Sequence, residues 1–187
     1  MQIDTTDIPG LVIVTPRRHG DQRGYFEETW NRRALAGHGI DIDFVQDNHS
    51  LSAERGTLRG LHYQAPPHAQ AKLVRCIAGA IWDVAVDVRP GSATLGRWVG
   101  LELTPENGKQ LLIPEGFLHG FVTLSPATEV AYKCSDYYSP RADGSVHWQS
   151  PALAIDWPME GPPKLSDKDA SAVDFADWTN PFDEAVE

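Results

Sequence analysis

The chain has 187 residues, of which 41% are hydrophobic, and this is enough apolar material for one domain with its own core. Its 16 basic and 26 acidic residues give a formal charge of -10, which argues against a broad surface for nucleic acid or for an anionic membrane. No window approaches the roughly 18 apolar residues of a membrane span, and the N-terminus has no basic cluster followed by an apolar run. We therefore expect a single cytoplasmic domain over residues 1–187.

The two cysteines and the acidic C-terminal part each lead to a structural expectation. Cys76 and Cys134 occur singly inside apolar, strand-like runs, and isolated cysteines in a reducing compartment are more often buried thiols than a disulfide or half of a zinc site. From Asp156 onward there are nine acidic residues and only two lysines. We expect this part to be a solvated, loosely structured cover, with an acidic tail from about residue 174.

The N-terminal part predicts two strands and one helix. Residues 11–15 form a β-branched run that Pro16 ends, and residues 24–29 follow a polar turn. Residues 31–37 begin with a capping Asn, continue with good helix formers and end at Gly. We expect one short helix there.

The central stretch, residues 44–64, places polar side chains on two neighbouring extended segments. Gln46, Asn48 and Ser50 fall on one side of the first segment, and Arg59 and His62 follow on the second after a turn that contains Gly. Because side chains alternate along a strand, such a polar face either meets water or lines a polar pocket. Because a surface strand has no need of such a set, we expect a polar pocket.

Further strand-like runs follow at short spacing, separated by Gly, Pro or Asn. They are residues 71–78, 80–88, 97–103, 109–113, 120–124 and 128–135. This rhythm is typical of an all-β sandwich or barrel. Helical character returns only near residues 166–173, where Ser166 and Asp169 have the spacing of a capping box.

Two motifs are similar to those of the cupin jelly roll. Gly108 followed by residues 114–119 is similar to the second cupin motif, and Gly56 followed by residues 62–64 resembles the first. A metal-binding cupin is expected to carry a second His where Gln64 stands. We therefore expect an all-β, cupin-type jelly-roll barrel of antiparallel strands, with a few short helices, mainly C-terminal, and a pocket without metal.

Taken together, six motifs over almost the whole chain resemble the dTDP-4-dehydrorhamnose 3,5-epimerase family. They are D-Q-R-G-Y-F-E-E (21–28), F-V-Q-D-N-H-S (44–50), L-R-G-L-H-Y-Q (58–64), I-P-E-G-F-L-H-G-F (113–121), Y-K-C-S-D-Y-Y (132–138) and L-S-D-K-D-A (165–170). The resemblance implies an isomerase that inverts C3 and C5 of dTDP-4-dehydro-6-deoxy-D-glucose and gives dTDP-4-dehydro-L-rhamnose, in dTDP-rhamnose biosynthesis. It implies neither a metal nor a nicotinamide cofactor.

The resemblance implies four catalytic residues whose chemistry suits that reaction. His62 would remove a proton α to the C4 ketone, and Asp169 would hold the imidazole tautomer and stabilise the imidazolium. Lys72 would stabilise the enolate oxygen. Tyr132 would return the proton from the opposite face, with help from Lys72 or Lys133, because a free phenol is a weak acid with a pKa of about 10.

The resemblance also implies a set of substrate contacts and a homodimer. Arg23 and Arg59 would meet the diphosphate, Tyr138 would stack on thymine, and Phe26 would add to that stack. The remaining expected contacts to the dTDP-sugar are Glu28, Gln46, Asp47, Asn48, His119, Lys168 and Asp143, the last standing where the family commonly has Glu. In the homodimer the N-terminal strands would cross to the partner, so that Arg23, Phe26 and Glu28 would serve the neighbouring site.

Each candidate also has an ordinary structural interpretation. A histidine such as His62 on a strand is usually hydrogen-bonded or exposed, and Tyr132 fits plain strand packing. Asp169 fits the cap at Ser166. Arg23 and Arg59 remain open to being surface ion pairs, and Asp83 either orients Lys72 or is a solvated strand residue.

Other functions remain open as well. One is a single-centre epimerase, acting at C3 or at C5, of another dTDP-deoxysugar pathway. Others are a non-catalytic cupin that binds a sugar nucleotide and a metal-dependent dioxygenase. The missing second His argues against the dioxygenase, and the joint presence of His62, Lys72, Tyr132 and Asp169 argues against a protein that only binds.

Overall fold

The computed structural model describes residues 1–183, and this part is built almost entirely from antiparallel strands. The strands are β1 (Gln2–Thr5), β2 (Val12–Thr15), β3 (Arg18–Asp21), β4 (Gly24–Glu27), β5 (Gln46–Ser52), β6 (Leu58–Gln64), β7 (Lys72–Ala78), β8 (Ile81–Asp87), β9 (Trp98–Leu103), β10 (Gln110–Ile113), β11 (Phe117–Thr123), β12 (Thr128–Cys134) and β13 (Asp143–Ser145). The helices in this part are α1 (Arg32–Ala36) and α2 (Asp167–Ala170).

The strands form two large sheets and one separate hairpin. One sheet has six strands in the order β1-β2-β10-β7-β12-β5, and the other has five in the order β13-β6-β11-β8-β9. Strands β3 and β4 pair with each other. Strands that follow one another in the chain often belong to different sheets. Two facing antiparallel sheets connected in this way form a jelly roll. The predicted cupin-type, all-β fold is confirmed.

Strand β8 shows how alternating side chains build two cores. Ile81 and Ala85 are buried with residues of the opposite sheet, such as Val74, so this cluster lies between the sheets. Val84 and Val86 point to the other face and pack with residues of the C-terminal segment. The five-stranded sheet is therefore covered on both faces.

The C-terminal segment forms part of the second core. Phe175, Trp178 and Phe182 pack against the outer face of the five-stranded sheet, and the Trp178 indole N–H donates to the Tyr63 hydroxyl at 3.0 Å. The expectation of a loosely structured cover was wrong as far as residue 183, because aromatic side chains between the acidic residues bury against the sheet. Residues 184–187 of the predicted tail lie outside the described residues.

The predicted first helix is confirmed with its caps. The Asn31 side chain accepts from the Ala34 N–H at 3.1 Å, and the Gly37 N–H donates to the Arg33 carbonyl at 3.1 Å. Leu35 buries against the outer face of the six-stranded sheet. Strands β1, β3 and β13 were not predicted, since each has four residues or fewer and a polar sequence without a clear alternation.

The second predicted helix is shorter than the sequence pattern suggested. Helix α2 occupies only Asp167–Ala170, with Ser166 as its N-cap. Over residues 1–183, no helix has both the length and the apolar character needed to cross a membrane.

Candidate active site

A cavity of about 140 Å³ lies between the two sheets, and polar groups from both line it. Its lining residues are Ser50, Arg59, His62, Lys72, His119, Phe121 and Tyr132. The six-stranded sheet supplies the residues on β5, β7 and β12, and the five-stranded sheet supplies those on β6 and β11. The two walls of the cavity therefore belong to different sheets.

His62 on one wall is held by a buried carboxylate. Its Nε2 lies 2.5 Å from Oδ1 of Asp169, whose side chain is only 4% exposed. Burial acts to raise the pKa of Asp169, but the hydrogen bond with His62 and the charges of His62 and Lys168 outweigh it and lower the pKa below its usual range. The carboxylate thus stays ionised at neutral pH and fixes the orientation of the imidazole.

The capping interpretation of Asp169 is compatible with this contact. The backbone N–H of Asp169 donates to the Ser166 hydroxyl at 3.2 Å, while its carboxylate contacts His62. The same residue therefore ends the capping motif and orients a cavity histidine. The structure therefore contains both the cap and the contact with His62 that the proposed role of Asp169 requires.

A second histidine and carboxylate lie beside the first pair. His119 is the cross-strand neighbour of His62, and its Nε2 lies 2.8 Å from Oδ1 of Asp83. Burial lowers the pKa of His119, and Asp83 counteracts this only in part, so the imidazole is neutral at neutral pH. The solvated interpretation of Asp83 was wrong, because its side chain is fully buried and its Oδ2 has no hydrogen-bond partner within residues 1–183.

Lys72 brings a buried amine to the cavity. Burial lowers the pKa of this amine, and Cys134, Asp83 and Asp143 offset that effect in part. Among the described residues, Lys72 takes part in no hydrogen bond between side chains and in no ion pair. Its N–H groups are therefore free to meet an oxygen atom of a ligand.

Tyr132 lies on the wall opposite His62. Burial raises the pKa of its phenol, with Asn48 and Arg59 counteracting it in part, so the phenol stays protonated at neutral pH. Its ring also packs against the core between the sheets, as the packing interpretation had it. Of the two amines expected to assist it, only Lys72 lines the cavity, since Lys133 pairs with Asp47 at 3.2 Å.

Gln64 stands where a metal-binding cupin would carry its second His, and it holds a loop. Its amide donates to the carbonyls of His68 at 2.7 Å and Tyr137 at 3.2 Å, and its oxygen accepts from the Ser139 N–H at 2.7 Å. Over residues 1–183, no three His, Cys, Asp or Glu side chains are grouped as metal ligands would be. This buried Gln thus fixes the loop that carries Tyr138.

Several residues expected to contact substrate form hydrogen bonds with one another. The Gln46 side chain accepts from the Tyr138 N–H at 2.9 Å and donates to Asn48 at 3.1 Å. Lys168 Nζ lies 2.5 Å from Oδ2 of Asp143, and the Tyr138 hydroxyl donates to the same oxygen at 3.2 Å. Through Tyr138, these contacts join β5 of one sheet to β13 of the other, which pairs with β6.

Other expected residues do not line the cavity in this chain. Asp47 points to the opposite, solvent-exposed face of β5. Arg23 forms an exposed ion pair with Asp21 at 2.6 Å, as its ordinary interpretation had it, and Phe26 on the same hairpin is 72% exposed. Glu28, just after the hairpin, accepts from the Asn31 side chain at 2.9 Å.

Arg59 lines the cavity and is not a surface ion pair. Its guanidinium donates to the Ser52 hydroxyl at 3.3 Å and to the Leu51 carbonyl at 3.2 Å. Ser50, which strand alternation placed on the polar face, lines the cavity, and so does Phe121, which the sequence analysis did not single out. The signal for Phe121 was its position two residues after His119, which puts both side chains on one face of a strand.

The fold and the site together define a cupin-type protein whose cavity has a histidine on one wall and a tyrosine on the opposite wall. The family model for dTDP-4-dehydrorhamnose 3,5-epimerase matches residues 5–177. The chain belongs to the dTDP-4-dehydrorhamnose 3,5-epimerase family and is an isomerase, as its motifs indicated.

Individual relatives agree with this membership. The dTDP-4-dehydrorhamnose 3,5-epimerase of Salmonella typhimurium is 50% identical over 173 residues, which cover 92% of this chain and 94% of the relative. A solved structure of dTDP-6-deoxy-D-glucose-3,5-epimerase from Legionella pneumophila, in complex with dTDP-4-keto-L-rhamnose, is 48% identical with a TM-score of 0.89 and covers 92% of each chain. A 3'-monoepimerase from Streptomyces bikiniensis, in complex with dTDP-quinovose, is 36% identical with a TM-score of 0.85, over 91% of this chain and 86% of that chain.

Proposed function

We propose that the chain inverts both C3 and C5 of dTDP-4-dehydro-6-deoxy-D-glucose and so forms dTDP-4-dehydro-L-rhamnose for dTDP-rhamnose biosynthesis. The observation that carries this proposal is that His62 and Tyr132 come from opposing sheets and line the same small cavity. Inversion at a carbon next to a ketone requires a base on one face of the sugar and an acid on the other. A sugar ring between the two walls meets both.

His62 is the base in this mechanism. Its imidazole, oriented by Asp169 at 2.5 Å, takes the proton from the carbon α to the ketone and becomes an imidazolium that the buried carboxylate stabilises. A positioned acid or base of this kind contributes a factor of about 10²–10⁴ in rate.

Lys72 stabilises the enolate that forms when the proton leaves. Its buried ammonium has no partner among the side chains of the described part, and a charge of this kind acts strongly on an oxyanion where water is excluded. Since C3 and C5 flank the same C4 ketone, one ammonium serves the enolate formed at either carbon.

Tyr132 returns a proton from the opposite wall. Its raised pKa keeps the phenol protonated until the enolate carbon accepts the proton, and the phenolate that remains is stabilised by the positive charge of Arg59 and by the hydrogen bond with Asn48. The new C–H bond then forms on the face away from His62, which completes the inversion.

The size of the cavity favours entry of the sugar ring alone. About 140 Å³ is well below the roughly 300–1,000 Å³ of pockets that enclose a whole drug-sized ligand. The nucleotide therefore lies outside the cavity, where Tyr138, 57% exposed, offers an aromatic face for thymine. Arg59 meets the diphosphate, and Gln46, Asn48 and His119 contact the sugar nucleotide.

We also propose a homodimer in which the N-terminal strands cross to the partner. The hairpin of β3 and β4 pairs with no other strand of residues 1–183, and its Arg23 and Phe26 are largely exposed. Neither residue, nor Glu28, reaches the cavity of its own chain. In the dimer these three residues contact the nucleotide bound to the partner subunit.

We further propose that residues 1–187 act as one cytoplasmic domain. Cys76 and Cys134 are free, buried thiols, which suits a reducing compartment. The C-terminal segment packs onto the same sheet that carries His62, so it belongs to the same folded unit. Cell fractionation is expected to place the protein with cytosolic markers, and recovery from an oxidising compartment would contradict the proposal.

A single-centre epimerase is the second candidate, because the Streptomyces bikiniensis monoepimerase has the same fold. Incubation with the proposed substrate in deuterium oxide separates the candidates by NMR. We expect deuterium at both C3 and C5 with the native protein, and a loss of about 10²–10⁴-fold in His62→Ala. Deuterium at only one carbon would support the single-centre candidate, and no exchange with nucleotide still bound would overturn the enzymatic proposal.

The control for this experiment is His49→Ala. His49 also pairs with a carboxylate, Glu129 at 2.9 Å, but it is exposed on the outer face of β5 and does not line the cavity. Its replacement is expected to leave exchange unchanged. A chelator is likewise expected to leave the rate unchanged, since no step of the proposed mechanism uses a metal.

A further inference from the structure

Among the described residues that line the cavity, Phe121 is the one whose side chain has no polar atom. Its ring is 3% exposed and belongs to the core cluster between the sheets. The backbone of Phe121 is held from both sides, because it pairs with Arg59 of β6 and with Asp83 of β8. The cavity therefore has one apolar surface, and packing fixes its position.

The Phe121 ring lies on the same wall as the proposed base. Phe121 and His119 are both on β11, and their ring centroids are 6.3 Å apart. His119 is the cross-strand neighbour of His62. The lining residues of the opposite wall all carry a hydroxyl or an amine. An apolar group that moves toward the His62 wall therefore has Phe121 as its apolar contact.

The proposed substrate carries one apolar substituent, the methyl group on C5. Inversion at C5 exchanges the hydrogen atom and this methyl group between the two faces of the sugar ring. His62 removes the hydrogen on its own side, and Tyr132 adds the new hydrogen from the other side, so the methyl group moves toward the His62 wall. Inversion at C3 moves a hydroxyl group in the same direction, and a hydroxyl can use the polar groups of that wall.

We propose that Phe121 is a specificity-determining residue that receives the methyl group of C5 and thereby permits inversion at this carbon. The inference rests on the proposed function, because the methyl group moves this way only if His62 and Tyr132 act from opposite walls. Against Phe121 the methyl group buries apolar surface, whereas against an imidazole or a guanidinium it would take hydrogen-bond partners away from polar groups. Inversion at C3 gains nothing from this contact.

The experiment compares the initial rates of inversion at C3 and at C5 by NMR in Phe121→Ala and Phe121→Leu. We expect the ratio of the C5 rate to the C3 rate to fall about 10-fold in Phe121→Ala and to change less than about 3-fold in Phe121→Leu, which keeps an apolar side chain. The two rates come from one sample, so a smaller folded fraction lowers both alike. Equal losses at both carbons in Phe121→Ala would overturn the proposal.

Phe117→Ala is the matched control. Phe117 lies on the same strand, is 5% exposed and belongs to the same core cluster, but it does not line the cavity. Its replacement is expected to weaken the core while leaving the ratio of the two rates unchanged. If the ratio falls as far as in Phe121→Ala, any damage to the core is enough, and the specific role of Phe121 is overturned.

A binding measurement tests the contact with the methyl group without turnover. The probes are dTDP-L-rhamnose and dTDP-L-lyxose, which differ only in the methyl group on C5. By calorimetry, we expect the native protein to bind the rhamnose compound about 4-fold more tightly. This preference should be lost in Phe121→Ala and retained in Phe117→Ala. Equal affinities of the two probes for the native protein would contradict the proposal.

The two measurements separate this inference from the proposed function. If the native protein inverts neither carbon while its preference for the methyl group depends on Phe121, the proposed function fails and the contact stands. If the native protein inverts both carbons while neither the rate ratio nor the preference responds to Phe121→Ala, the proposed function stands and the role of Phe121 is overturned.

Discussion

At the scale of single residues, Lys72 is the charge on which the proposed chemistry depends most. Its amine is buried in the cavity and has no side-chain partner within residues 1–183, so its charge is available to the enolate. Burial moves its pKa in the opposite direction from that of Tyr132, lower for the amine and higher for the phenol. As the pH rises, Lys72 therefore loses its proton before Tyr132 does.

The pH dependence of kcat follows from that order. The ammonium of Lys72 is present below its pKa and is lost as the pH rises through it, which happens below the ordinary lysine value of about 10.4. We expect kcat to fall on the alkaline side in that range, before Tyr132 ionises.

The fall of kcat at high pH is the alkaline limb of the pH profile, and Lys72→Met tests whether Lys72 causes it. The variant is expected to lower kcat by about 10²–10³-fold and to move the remaining alkaline limb to higher pH. Tyr132→Phe should keep the limb at its native position. A limb that stays unchanged in Lys72→Met would assign it to another group.

At the scale of elements, the C-terminal segment adds a third layer behind the five-stranded sheet. Trp178 packs at a ring-centroid distance of 5.3 Å from Tyr63 and 5.8 Å from Phe175. Tyr63 directly follows His62 on β6 and faces the other side of the sheet. The segment therefore supports the strand that carries the proposed base from behind.

Trp178→Ala is expected to destabilise the protein by about 2–3 kcal/mol, somewhat less than the ~3–5 kcal/mol of a fully buried Trp, since the side chain is partly exposed. Urea unfolding measures this change. The control is Leu95→Ala, an exposed apolar residue whose replacement should change the free energy of unfolding by less than about 0.5 kcal/mol. Equal effects of the two variants would show that the segment does not contribute to the core.

Local signals in the sequence predicted the elements well where patterns were regular. Alternation identified the polar face of Gln46, Asn48 and Ser50, and the caps at Asn31 and Gly37 identified α1. Short polar strands such as β13 were missed, because a strand of three residues has no measurable period and forms only when a neighbour pairs with it.

The candidate site could be predicted only in part, because the sequence shows the chemistry of single residues but not which strands are neighbours. His62 and Lys72 stood out by chemistry, but the pairing of His119 with Asp83 depends on strands β11 and β8 lying side by side, which the sequence does not encode locally. The proposed role of Tyr132 likewise depends on the facing of two sheets. Single-strand patterns favoured ordinary packing for that residue.

At the scale of the whole molecule, the proposed dimer determines whether each site is complete. The hairpin residues Arg23, Phe26 and Glu28 lie away from the cavity of their own chain. If they serve the partner, mixed dimers of His62→Ala and Arg23→Ala subunits contain one site with both residues intact. The two variants are co-expressed with different tags so that the mixed dimer can be purified. At low substrate concentration, we expect this mixed dimer to have activity that neither variant has alone. A mixed dimer as inactive as the two parents would place Arg23 and His62 in the same subunit's site.

In the proposed mechanism, the facing of the two sheets lets base and acid approach the sugar from opposite walls. The most direct test follows deuterium exchange and inversion separately in Tyr132→Phe. The proposed mechanism predicts that deuterium still enters from the His62 face, while inversion falls by about 10²–10⁴-fold because no acid stands on the other wall. Loss of exchange in Tyr132→Phe, together with exchange that survives in His62→Ala, would contradict it by reversing the roles of the two walls.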